Sequence, residues 1–293
     1  MTGRLLPALP LLLLLAAGCA QNSQNPQTPA TSAARQAAAI EANRKGENYV
    51  RHGELENAAR SYAEALRLSQ SLEDAEGIAA NAINLSIVRQ RQGRFADARG
   101  ALGAVMESRN LRFSPLRQAE AALRQALLDL DERKSGSAEE WVAKAAAHCG
   151  ERCPLSGAIH NVRAQLSLQA GRLEAAAASA RAALDASRSA NDRAETANAL
   201  RILGVTALRT GDAAAARTQL EQALALDREI GAPRKIAFDL VALGRAAALG
   251  GDRESARAFY ARALAVSEAD RDSVAAAEAR ALLEAVDKAA AGK

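Results

Sequence analysis

Residues 197–224 read ANALRILGVTALRTGDAAAARTQLEQAL. Ala197, Leu200, Leu203, Gly204 and Ala207 recur at three- and four-residue spacing, the stripe of an amphipathic helix. Gly211 then fits a left-handed C-cap, where a Cβ would cost energy. Asp212 offers an N-cap, and Ala216, Leu220, Ala223 and Leu224 stripe a second helix. Small residues at Gly204 and Ala216 let the two helices approach closely, and larger ones would overpack. The stretch predicts helix, tight turn, helix.

The same signal recurs outward in both directions. A Gly followed five residues later by Ala appears at Gly53/Ala58, Gly93/Ala98, Gly171/Ala176, Gly211/Ala216 and Gly251/Ala256. The Gly spacings are 40, 78, 40 and 40, so a degenerate copy is expected in the double gap, with its turn in the charged, Gly-containing break Asp131–Gly136. Pro115, Pro154 and Pro233 keep the same phase and are expected at or near the first residue of a helix, where a missing N–H costs least. Six phased units read as a solenoid. Residues 273–288 predict a closing helix, N-capped by Ser273, with Val274, Ala277, Ala281, Leu282 and Val286 inward.

Composition agrees. Of 293 residues, 49% are hydrophobic but only 3% aromatic, and alanine is about a quarter of the chain, well above its ordinary share. A β-sandwich or barrel needs β-branched and aromatic residues that this chain lacks. The net charge is +4, and +3 without residues 1–18, which hold Arg4 and no acid. That small surplus is no nucleic-acid footprint.

The pattern resembles the tetratricopeptide repeat (TPR). The residues that carry the likeness are Gly46, Tyr49, Ala58, Tyr62 and Ala65 in the first unit, and Leu243-Gly244, Ala256, Tyr260 and Ala263 in the sixth. The usual repeat has 34 residues; the period of 40 is similar to the longer variant of kinesin light chains and some bacterial transcription activators. The resemblance covers about residues 33–270, is weakest in the third unit, and implies an all-α, right-handed solenoid of six units, 33–290, with turns near 53, 93, 132–136, 171, 211 and 251. It also implies a concave face lined by the first helices. There the partner-groove candidates are Arg201, Val205, Leu208, Arg209, Phe238, Val241 and Arg245. Arginine pairs carboxylates bidentately, so the partner expected is a protein or extended peptide with acidic groups. The alternative for these arginines is plain solvation.

Residues 1–19 read MTGRLLPALPLLLLLAAGC, with one basic residue, an apolar run and a small-residue end. That order is a secretory leader, and Ala16-Ala17-Gly18-Cys19 resembles a bacterial lipobox. The resemblance implies a leader over 1–18, acyl chains on Cys19 and membrane attachment through them. Ala20, rather than Asp, implies the outer membrane. The Pro- and Gln-containing stretch up to residue 32 reads as a flexible tether, 19–32 with its lipidated Cys.

The sequence holds no His-Glu-x-x-His, Gly-x-Ser-x-Gly, phosphate loop or Cys-x-x-Cys, so no catalytic residue and no cofactor is assigned. Cys149 and Cys153 remain as an even pair. They read as an intrachain disulfide, as free buried thiols, or as a metal site with His148 and His160. The function expected is a non-enzymatic, periplasm-facing outer-membrane scaffold or assembly factor, architecturally akin to pilotins of type IV pili and to assembly-machine lipoproteins. The alternative is a periplasmic ligand- or metal-binding receptor.

Overall fold

The computed structural model describes residues 31–108, 110–150 and 153–291. The expected leader, Cys19 and the tether up to residue 30 lie outside them. The described residues form thirteen α-helices and no strand. They pair as α1 (Ser32–Arg51) with α2 (Leu55–Ser71), α3 (Ala75–Arg91) with α4 (Phe95–Met106), and α5 (Pro115–Asp131) with α6 (Ser135–Cys149). Then come α7 (Ser156–Gln169) with α8 (Leu173–Ser189), α9 (Arg193–Thr210) with α10 (Ala213–Ile230), and α11 (Pro233–Leu249) with α12 (Arg253–Ala269), closed by α13 (Ser273–Ala291). Each hairpin packs on the next, the architecture of an α-solenoid.

The hairpins explain the alanine content. Ala58, Ala98, Ala138, Ala176, Ala216 and Ala256 are fully buried, one per unit, at the same place on each second helix. A methyl group is all the facing helix leaves room for. Ala138 belongs to the degenerate unit, whose turn departs from expectation. Its left-handed residue is Arg133, at φ 60°, while Gly136 lies inside α6. The offset of five residues from left-handed turn to buried Ala is kept; only the glycine is lost. Gly244 shows how tight the approach is, since a Cβ there would fall within the buried Tyr260 ring.

Capping follows sequence locally. Asp212 accepts from the Ala215 N–H, and Asp252 from that of Ser255. Between units, Glu73, Asn191 and Arg271 adopt left-handed φ of 53–57°, each followed by an Asp that caps the next helix: Asp74, Asp192 and Asp272. A side-chain cap contributes about 1 kcal/mol, comparable to the cost of a non-Gly left-handed residue. Pro115 and Pro233 open their helices, whereas Pro154 precedes α7 by two residues.

The terminal helix corrects the sequence reading in two ways. Asp272, not Ser273, caps α13. Its inward residues are Ala276, Ala279, Leu282, Leu283 and Val286, while Val274 is 79% exposed and Ala277 and Ala281 are also outside. Alanines on several sides of this helix leave its apolar phase ambiguous, and packing against α11 and α12 decides it.

Candidate binding groove

The first helices α7, α9 and α11, with α13, enclose a cavity of about 750 Å³, within the range of ligand pockets. Leu168, Ile202, Val205, Phe238, Val241 and Val274 supply apolar wall. Phe238 is 50% exposed and Val274 more so, so this surface meets water in the free chain. Arg234, Lys235, Asp272 and Glu278 surround it with charge. Helical register places these residues: the turns after α7, α9 and α11 repeat in phase, so one face of each helix looks into the same concavity.

The seven groove candidates divide. Val205, Phe238 and Val241 line the cavity, as does part of Arg201. Leu208 packs against the core of the last two units. Arg209 donates to the Leu168 carbonyl at 2.5 Å. Arg245 pairs with Glu278 at 2.7 Å.

Arg201 is the least available of the arginines. Its side chain is 12% exposed; Nε donates to Asp239 Oδ1 at 2.6 Å, and the guanidinium also holds Asp227. Both carboxylates are fully buried. Arg201 thus ties α9, α10 and α11 together from within. Burial pushes the Asp239 carboxyl up to about 6; Arg201 pulls it down, and the nearby Asp227 carboxylate raises it again. With a second carboxylate facing the same guanidinium, burial favours a proton on Asp239.

The same register place elsewhere holds a neutral version. Asn43 Nδ2 donates to Asn81 Oδ1 at 2.7 Å, and Asn81 Nδ2 donates to Ser69 Oγ at 3.3 Å. Asn43 and Arg201 both lie ten residues before their turn glycine, Gly53 and Gly211. The acids escaped the sequence reading, although Asp227 had a signal: it continues the apolar stripe Leu220, Ala223, Leu224 of α10.

Cys149 and Cys153 are joined in a disulfide, their Cα atoms 4.9 Å apart, where α6 ends before α7. Sulfurs bonded to each other do not ligate a metal, which removes the His148, Cys149, Cys153, His160 arrangement. Among the described residues no group of three or more His, Cys, Asp or Glu is placed to hold a metal ion.

The family model described as tetratricopeptide repeat matches residues 195–269, the two units that carry most of the groove. No curated protein matches the chain. Among solved structures, BtubC (BKLC) of P. vanneervenii is 22% identical at a TM-score of 0.51, over 82% of this chain and 93% of that one. A Rap protein complexed with competence and sporulation factor is 14% identical at 0.59, over 86% and 71%. The pilF protein of Pseudomonas aeruginosa is 19% identical at 0.50, over 75% and 100%. At these identities the likeness is one of fold.

Proposed function

We propose that the protein is a scaffold whose groove captures a segment of a protein partner, on the strength of a solenoid of six helical hairpins of which residues 195–269 match the tetratricopeptide repeat. The observation that carries this is the cavity of about 750 Å³ with a half-exposed Phe238 on an apolar wall and Arg234 and Lys235 beside it. An aromatic anchor beside cations suits an extended segment that combines apolar and acidic residues. A Rap protein of like fold is complexed with competence and sporulation factor, which supports use of such a scaffold for capture. None of the three groove arginines expected from the sequence meets the partner's acids: Arg201 braces the wall, Arg209 and Arg245 are held by Leu168 and Glu278, and Arg234 and Lys235, which the sequence reading does not name, face those acids.

We further propose that the scaffold stands on the periplasmic face of the outer membrane, held by acyl chains on Cys19, and serves envelope or pilus assembly. The lipobox-like Ala16–Cys19 supports this. Several chains give near-permanent attachment, at about 0.8 kcal/mol per buried methylene. Cys19→Ser is expected to leave unprocessed precursor without lipid label; efficient labelling of that variant would exclude the anchor.

Crosslinked pull-down from the native envelope tests the groove. Lys235→Glu with Phe238→Ala is expected to reduce recovery of the partner by more than about tenfold, since truncating an interface anchor costs about 2 kcal/mol. Helicity should be unchanged, because both side chains are at least partly exposed. Recovery equal to wild type would place the site elsewhere, on the convex face or around Cys149.

A further inference from the structure

The two ends of the solenoid meet. A Cβ on Gly53, in the α1–α2 turn, would lie 3.5 Å from the backbone oxygen of Asp270, in the α12–α13 turn. Six units carry the superhelix round until its last turn rests against its first. Arg91, at the end of α3, lies within the fields of Arg234, Asp270 and Asp272. Arg234 Nε donates to Asp272 Oδ2 at 2.8 Å. Two cations and two carboxylates therefore gather at this seam.

The seam is not fully satisfied. Arg91 Nε and Asp270 Oδ2 are buried without a hydrogen-bond partner; one is a donor and the other an acceptor. Loss of water opposes both charges: burial lowers the Arg91 pKa and raises that of Asp270. A buried polar group without a partner carries a desolvation penalty that separation removes. Consecutive units meet differently. The joint between the last two hairpins and α13 is a continuous apolar cluster around Leu220, Leu240, Leu243 and Tyr260. Opening there would expose apolar surface, whereas opening the seam mainly rehydrates charge. Local opening follows the weakest boundary.

We propose that the contact between the α1–α2 turn and the α12–α13 turn is a latch that closes one turn of the superhelix and parts while every hairpin stays folded. Arg234 and Asp272 belong to the latch and also to the groove wall, so parting it alters the end of the groove. Only the use of that opening to admit a partner rests on the groove reading; the latch itself does not.

Pulsed electron paramagnetic resonance on the full chain tests it without any partner. Nitroxides are placed at Glu54→Cys and Ser273→Cys, two exposed positions flanking the contact, with Cys19→Ser so that position 19 takes no label whether or not it is acylated. The expected result is a dominant short separation with a minor long one. Arg91→Asp sets a third carboxylate against Asp270 and Asp272 and is expected to raise the long-to-short ratio about tenfold. Adding Asp270→Arg should restore the short separation. Should Arg91→Asp lose helicity, Arg91→Gln decides, with a smaller rise in the same direction. A distribution without a short component, or one unmoved by the helical Arg91 variant, overturns the latch. A responsive latch in a protein whose Lys235/Phe238 variant still captures its partner would overturn the groove alone.

Discussion

Arg201→Ala is expected to lower the free energy of unfolding by about 3–5 kcal/mol, the cost of removing one member of a buried ion pair. The reason lies in what stays behind. Asp227 and Asp239 are fully buried, and Arg201 is the cation that holds both. Without it, the carboxylates must be protonated, flooded or pulled apart, and each option loosens α9 from α10 and α11. An exposed arginine truncated in the same way, such as Arg217 beside Glu221, should change stability by less than about 1 kcal/mol. Urea unfolding of the two variants provides the contrast. Equal, small effects would show that Arg201 is a solvated groove residue after all. A stronger check borrows the neutral joint of the first two units. The triple change Arg201→Asn, Asp239→Asn, Asp227→Ser reproduces the residue types of Asn43, Asn81 and Ser69, which hydrogen-bond without charge. It should recover most of the stability that Arg201→Ala loses, because removing every charge of a buried set is far less costly than removing one.

Arg201 also marks where the sequence stops being legible. Counting back from a turn glycine gives the direction of a Cα–Cβ bond, and that direction is concave for Asn43 and Arg201 alike. It does not give the end point of a long side chain, and Arg201 bends into the joint. The repeat itself is legible because every hairpin meets the same two demands, a left-handed turn and a methyl-sized residue five positions later. In the third unit Arg133 supplies the left-handed residue and only the second demand, Ala138, leaves a trace. Groove walls built by Val205 and Phe238 follow from the register of α9 and α11. Val274 joins them for a reason no periodicity carries: α13 is rich in small residues, and its rotation is set by what it packs against. The shortness of α4, which ends at Met106, does leave a trace: the polar run Glu107-Ser108-Arg109-Asn110 breaks its apolar stripe, with Pro115 not far beyond.

The second large effect is on pH dependence, and its sign is the opposite of ordinary acid denaturation. Burial lifts the Asp239 pKa from 3.8 to about 6. Between those values the folded chain holds a proton that the unfolded chain releases, so unfolding becomes easier as pH rises. The contribution is fully present below pH 3.8, declines through the window and is gone above about 6. At about 1.4 kcal/mol per pH unit it amounts to roughly 3 kcal/mol. Carboxylates with lowered pKa, such as Asp252 and Asp272, act in the other direction, gaining stability as pH rises through their lower range. Total stability therefore mixes the two, and Asp239→Asn separates them. Asparagine has the shape of a protonated aspartate: its oxygen can accept from Arg201, and its amide can donate to the Asp227 carboxylate, whose Oδ1 has no partner. The variant is expected to match wild type near pH 4 and to exceed it by about 2–3 kcal/mol near pH 7. Urea unfolding of both proteins across that range reads the difference directly. If the difference stays flat, Asp239 is ionised across the whole range in folded and unfolded chain alike, and the three groups act as a plain salt bridge. If it grows with pH as expected, the wall beneath the groove is softest where Asp239 is ionised, and the stiffness of units five and six depends on the acidity around the protein.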